Sequence, residues 1–210
     1  MGTIMTSRDV KVINFLDQSN CILTANQIGK IFYSDNARDE KSSLKIAQKR
    51  LKKMFDLKKL NRFRDYSSQE YYYYQSSKVP KITEHKLLIS EFLTRMAQDN
   101  FQLESVHLEW THFQKEYHLR PDAFIKFRYM GDDFYILLEV DSSKKFTNDE
   151  KYFKLFSDRK TNKEIQEVLP PNKVLIVSLC DKKIENSKVD PLWIKTDFSN
   201  FSNLKFQFIK

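Results

Sequence analysis

Two carboxylates lie two residues apart in the segment FYILLEVD, and their spacing suits metal chemistry. Side chains alternate along a strand, so Glu139 and Asp141 are predicted to project to the same face of a sheet. Two like charges about 6–7 Å apart repel each other unless a cation sits between them. Asp122 begins the preceding predicted strand and supplies a third oxygen ligand. The predicted metal ligands Asp122, Glu139 and Asp141 suit Mg²⁺ or Mn²⁺, which use few protein carboxylates and keep several waters.

A simpler interpretation of the same acids is also open. Carboxylates are common at strand ends, where they pair with nearby lysines. Lys144, Lys145 and Lys151 follow closely enough to do so.

A second group of residues points to polyanion binding. Residues 41–64 hold ten Lys or Arg and one acid, Asp56, a local charge of +9 in a chain whose net charge is +8. Charge this concentrated creates a local field that attracts polyanions such as nucleic acid.

Helices are predicted to carry much of this basic stretch. The spacing of apolar residues predicts a first helix over 9–18, and the capping-box pattern from Thr24 to Gln27 opens a second. A third helix is predicted to start near Ser42 or Ser43. One face of this helix is apolar, and the opposite face carries lysines: Lys45, Lys49, Lys52 and Lys53.

Two strand-like runs follow, over 60–64 and 70–74, joined by a turn at 65–69. A hairpin after a basic third helix is typical of a winged helix-turn-helix domain, whose third helix enters the DNA major groove. The predicted DNA-binding residues are Ser43, Lys45, Lys49, Arg50, Lys52, Lys53, Arg62 and Arg64. The alternative is that the lysines form an ordinary solvated helix face.

The order of the predicted helices and strands indicates an α/β (α+β) chain, and a change in composition near residues 75–80 indicates two domains. The winged helix-turn-helix domain spans 1–75, a polar linker ending in proline spans 76–82, and an α/β domain spans 83–210. In the second domain the patterns predict a helix over 85–97, three strands over 106–110, 123–128 and 134–141, a helix opened by a capping box over 147–150, and a buried strand over 174–179. The segments LWIKT and LKFQFI near the end of the sequence are predicted edge strands.

This order of elements resembles the PD-(D/E)xK nuclease core, with Pro121-Asp122 on one strand and Glu139-Val140-Asp141 on the next. The resemblance implies an αβββαβ domain in which these acids are catalytic and bind a divalent metal. A lysine normally lies two residues after the second acid, and here Asp141 occupies its place. Lys151 and Lys154 on the following helix are candidates to replace it, and Lys151 is included among the candidate catalytic residues.

The combination of a basic winged helix, LRPDAFIKF, FYILLEVDSSKKF and a lysine-aromatic helix resembles the replication-relaxation family. The resemblance spans roughly residues 7 to 160. It implies a protein of a plasmid or other mobile element that acts in replication, copy control or transfer.

Composition excludes several other classes. Three glycines are too few for glycine-rich phosphate loops, and the two cysteines have no zinc-binding spacing. The sequence has no apolar run long enough to span a membrane and no hydrophobic signal segment, so we expect a cytoplasmic protein without membrane association.

The expected function is therefore double-stranded DNA binding, with a degenerate nuclease-like second domain. Its expected partners are duplex DNA, a second copy of the chain in a homodimer, and other replication or transfer proteins. One alternative is a Mg²⁺-dependent DNA endonuclease targeted by its winged helix. Another is a transcriptional repressor whose C-terminal domain binds a ligand or partner.

Overall fold

The chain is a mixed α/β protein that divides into two compact units, residues 1–100 and residues 101–210. The computed structural model describes residues 5–36, 39–64, 70–141, 146–182 and 184–208. Among these residues, no helix is long and apolar enough to cross a membrane.

In its described residues, the N-terminal unit has four α-helices, a short 3₁₀ helix over Ser34–Asn36 and a small antiparallel sheet. Its helices are α1 (Ser7–Ser19), α2 (Ala25–Phe32), α3 (Glu40–Asp56) and α4 (Glu84–Gln98). Its strands are β1 (Leu23–Thr24), β2 (Asn61–Arg64) and β3 (Tyr71–Tyr74), in the order β1-β3-β2. The predicted capping box of α2 is confirmed, because Thr24 accepts a hydrogen bond from the Gln27 amide and Gln27 accepts one from the Thr24 amide.

Helix α4 belongs to the N-terminal unit, whereas the sequence pattern predicted it as the first helix of the second domain. The reason is packing: α4 lies against α2, and Phe92, Leu93 and Met96 on α4 are fully buried. The Ser90 hydroxyl also donates a hydrogen bond to the Ile22 carbonyl, 2.7 Å away. The linker predicted at 76–82 therefore lies inside the first unit, and the second unit lacks the leading helix of the predicted αβββαβ order.

The C-terminal unit is built on a five-stranded mixed sheet in the order β4-β5-β6-β7-β8. Its strands are β4 (Gln102–Leu108), β5 (Ala123–Tyr129), β6 (Asp132–Val140), β7 (Val174–Leu179) and β8 (Leu192–Ile194). The first three are antiparallel, and β6, β7 and β8 are parallel. Its helices are α5 (Gln114–Tyr117), α6 (Asp149–Arg159), α7 (Lys163–Val168) and α8 (Asn203–Phe206).

Both faces of β5 and β6 carry apolar residues. On one face Phe124, Leu137 and Ile176 join a buried cluster with residues of α6 and α7, including Tyr152 and Leu155. The nearly continuous apolar sequence of β6 is explained by burial on both faces.

Two local predictions in the C-terminal unit were wrong. Within the segment LKFQFI, residues 204–206 belong to the short helix α8 and not to an edge strand. No side-chain cap opens α6, although its sequence resembles a capping box. The Asn148 side chain at this position instead donates a hydrogen bond to Glu139.

Candidate nucleic-acid interface and carboxylate cluster

The exposed side of α3 carries a row of lysines. Lys41, Lys45, Lys49 and Lys52 are all exposed, and we call them the basic face. Their spacing of four, four and three residues places them on one side of a helix. Sequence reasoning did not include Lys41 among the candidate contacts, although its spacing from Lys45 was a usable signal.

The opposite side of α3 is buried in the core of the N-terminal unit. Ala47, Leu51 and Met54 are at most 1% exposed. Gly29 on α2 lies close to this helix, because a Cβ atom at Gly29 would lie 3.3 Å from the Ser43 and Leu44 backbone. The helix is therefore held in place by one face while the other presents its lysines to solvent.

Helix α3 begins earlier than the sequence predicted. Asp39 is the N-cap, since its side chain accepts a hydrogen bond from the Ser42 amide, and the first helical residue is Glu40. Ser43 is buried, and its hydroxyl donates to the Glu40 carbonyl. Ser43 is therefore not available at the surface, and its prediction as a DNA contact is corrected.

The prediction that Arg50 contacts DNA is also corrected, because Arg50 forms an ion pair inside the N-terminal unit. Its guanidinium donates hydrogen bonds to both carboxylate oxygens of Asp9, which is fully buried. The Tyr33 hydroxyl donates to the same carboxylate, 3.2 Å away. Burial raises the pKa of Asp9, but the hydrogen bonds from Arg50 and Thr6 outweigh it and lower the value to about 2. Arg50 thus anchors α3 to α1.

The β2–β3 hairpin follows α3 and adds two arginines. Arg64 is exposed and Arg62 is half-buried. The guanidinium carbon of Arg62 lies 4.1 Å from the ring centre of Phe55 and 4.4 Å from that of Tyr71. The predicted turn at 65–69 lies outside the described residues. Lys53 is half-buried, so of the predicted contacts Lys45, Lys49, Lys52 and Arg64 are exposed.

The three predicted metal ligands lie at one end of β5 and β6, and we call Asp122, Glu139 and Asp141 the carboxylate cluster. Ala123 pairs with Leu138, so Asp122 is next to Glu139 across the two strands. An Asp122 oxygen accepts a hydrogen bond from the Val140 amide at 2.7 Å.

Glu139 is only 5% exposed. Its Oε1 accepts hydrogen bonds from the Tyr152 hydroxyl at 2.7 Å and from the Asn148 amide at 3.1 Å. These two donors are neutral, whereas the strand-end interpretation calls for lysines. Two of those lysines, Lys144 and Lys145, lie outside the described residues.

The pKa of Glu139 is raised to about 8. Burial is the main cause, and the charges of Asp122 and Asp141 act in the same direction. The hydrogen bonds from Tyr152 and Asn148 act in the opposite direction. Glu139 is therefore largely protonated at pH 7, which relieves part of the repulsion inside the cluster.

Within the described ranges, no three or more His, Cys, Asp or Glu side chains are grouped so that they could hold an ion. Lys151 is exposed on α6, next in sequence to the buried Tyr152.

No family model, no curated protein and no solved structure matches this chain.

Proposed function

We propose that the chain is a double-stranded DNA-binding protein whose N-terminal unit is a winged helix-turn-helix domain. The observation that carries the proposal is the basic face of α3, which is exposed along its length while the opposite face is buried. A helix of 17 residues is about 25 Å long and fits a major groove about 12 Å wide. Exposed lysines along such a helix can neutralise phosphates on both sides of the groove.

The order of elements supports this domain type. A short strand precedes α2, and the β2–β3 hairpin directly follows α3 and pairs with that strand. In winged helix-turn-helix domains the hairpin reaches the DNA beside the recognition helix. Arg64 on β2 adds a positive charge to the hairpin, on the part of the domain that would reach the DNA beside α3.

We further propose that the C-terminal unit is a degenerate nuclease-like domain that serves as a platform for DNA, a second copy or a protein partner. Three antiparallel strands followed by helices and a parallel strand support a PD-(D/E)xK type of core. The resemblance of Arg120-Pro121-Asp122 and Glu139-Val140-Asp141 to motifs of the replication-relaxation family extends the proposal to replication, copy control or transfer of a mobile element.

The test is the salt dependence of binding to a fluorescein-labelled duplex of mixed sequence. If about five phosphates are contacted, log K should fall against log salt with a slope of about −4 to −5. Replacing Lys45, Lys49 and Lys52 by Glu should weaken binding by about a hundredfold or more, because three phosphate contacts become repulsive.

A matched control reverses the same charge elsewhere. Lys115, Lys160 and Lys163 are exposed in the C-terminal unit, and their replacement by Glu should leave most of the affinity. Equal losses in both triple variants would contradict the assignment of the basic face, since net charge alone would then explain binding. Absence of duplex binding by the wild type at low salt would refute the function itself.

A metal-dependent DNA endonuclease is the second candidate function. The specific observation in its favour is the placement of Asp122 and Asp141 beside Glu139 at one sheet end. A divalent metal held there would supply an activated water for phosphodiester hydrolysis. It ranks second because the described residues do not converge on an ion and Asp141 occupies the position of the nuclease lysine.

Supercoiled plasmid separates the two candidates. The protein is incubated with and without Mg²⁺ or Mn²⁺, beside the Asp122→Ala and Glu139→Ala variants. We expect retarded but intact plasmid. Metal-dependent nicking that both variants lose would make the endonuclease the correct function.

A further inference from the structure

Arg62 is the most closely packed cation of the β2–β3 hairpin. Its guanidinium lies over two aromatic rings, Phe55 in the last turn of α3 and Tyr71 on β3. In the strand pairing Arg62 lies directly opposite Tyr73 of β3, a residue that is 3% exposed. These contacts join three elements of the N-terminal unit through one side chain.

This environment restricts what the guanidinium can do. A planar guanidinium that stacks on two rings is restricted in its orientation. Arg62 sits in the strand directly after α3, where a fixed side chain sets the angle between the hairpin and the helix.

Arg64 provides a contrast on the same strand. It is exposed, and its guanidinium carbon lies 5.5 Å from the ring centre of Tyr71, farther than that of Arg62. Alternation along β2 places Arg62 and Arg64 on the same face of the hairpin. Arg64 also lies two residues further along β2 than Arg62, away from the end of the strand that follows α3.

We propose that Arg62 is a positioning residue that fixes the β2–β3 hairpin against the C-terminal turn of α3, and that Arg64 is the arginine of this hairpin that contacts DNA. The inference rests on the proposed DNA-binding function and assigns separate roles to two arginines that the sequence treats alike. Arg62 acts on DNA through the hairpin and not through its own charge.

The first experiment compares duplex binding by three full-length variants across a salt series. Arg62→Lys keeps the charge but loses the planar stacking, and Phe55→Leu removes one ring without changing any charge. Both should weaken binding by roughly fivefold to tenfold, with the wild-type salt slope. Arg64→Gln should instead make the slope shallower by about one, because one phosphate contact is lost.

The second experiment needs no DNA. The stability to urea is measured for Arg62→Lys, Phe55→Leu and the double variant. If Arg62 joins the hairpin to α3 through Phe55, the double variant loses less stability than the sum of the two single losses. Amide exchange in β2 and β3 should become faster in each single variant.

Two results would overturn the inference. One is wild-type affinity in Arg62→Lys together with a shallower slope in a fourth variant, Arg62→Gln, measured in the same salt series, which would make Arg62 a phosphate contact. The other is strict additivity in the urea experiment, which would show that Arg62 and Phe55 are not coupled. Failure of the wild type to bind duplex would refute the proposed function, and additivity would still decide the role of Arg62.

Discussion

At the residue scale, each of two buried carboxylates is stabilised in a different way. Asp9 stays ionised because a guanidinium neutralises it, and its pKa is lowered to about 2. Burial raises the pKa of Glu139 to about 8, because its hydrogen-bond donors are neutral and do not offset the cost of a buried charge, and its acidic neighbours act in the same direction. The same chemical group is thus an anion that anchors α3 in one unit and a largely neutral acid at a sheet end in the other.

The raised pKa of Glu139 predicts a pH-dependent stability. Below about pH 4.5 the carboxyl is protonated in both the folded and the unfolded chain. As pH rises, the unfolded chain releases this proton first, so the contribution of Glu139 to the free energy of unfolding falls by about 1.4 kcal/mol per pH unit until about pH 8. Glu139→Gln should remove this decline.

The measurement is urea denaturation of the wild type and Glu139→Gln from pH 5 to pH 8. Glu167→Gln, which changes an exposed carboxyl, is the control. Parallel pH profiles for the wild type and Glu139→Gln would show that Glu139 is ionised in the folded protein. Repeating the series with Mg²⁺ adds a test of cation binding, because an ion at the cluster would stabilise the wild type most at pH 8.

At the element scale, the most important contact is the close packing of helix α2 against helix α3. The two helices approach closely at Gly29, where the backbone of Ser43 and Leu44 leaves little room for a side chain. The partly buried ion pair between Arg50 and Asp9 connects the same helix to α1. The direction in which the basic face points thus depends on contacts made by the opposite side of α3.

Gly29→Val is therefore expected to be strongly destabilising. The added methyl groups would meet backbone atoms of α3, which can move only with the helix, so we expect a loss of about 2 kcal/mol or more in the free energy of unfolding. Asn26→Val places the same branched residue at a half-buried position of α2 and should cost less, about 0.5 kcal/mol. Equal losses in urea denaturation would show that helix propensity, and not the close approach, sets the cost.

At the scale of the whole molecule, the boundary between the two units determines where the N-terminal unit ends. Helix α4 completes the core of the N-terminal unit, and the C-terminal unit begins with the strand that follows it. The basic face and the carboxylate cluster therefore belong to different units.

This boundary predicts how truncated chains behave. Residues 1–100 should fold alone with a cooperative thermal transition and bind duplex DNA. Residues 1–82 lack Phe92, Leu93 and Met96, whose burial contributes about 2 kcal/mol each, and should not fold cooperatively. Circular dichroism melts of both fragments test this. Cooperative folding of the shorter fragment would show that α4 is dispensable and that the predicted boundary at 76–82 was correct.

Much of the secondary structure could be predicted from the sequence because it depends on local patterns. The periodicity of apolar residues identified α1, α4 and β7, and the Thr24–Gln27 capping box identified α2. The concentration of basic residues in 41–64 is likewise a property of the sequence alone. These features need no knowledge of which elements meet.

Only the tertiary structure decided which candidate residues remain at the surface and which are used in packing. Ser43 and Arg50 lie in the basic stretch, but one is buried under the helix turn and the other neutralises Asp9, a residue 41 positions away. In the sequence Asn148 is part of a capping-box pattern, but in the structure its side chain donates a hydrogen bond to Glu139. Such roles depend on partners that the packing of distant segments brings together. A local sequence pattern does not show which residues those partners are.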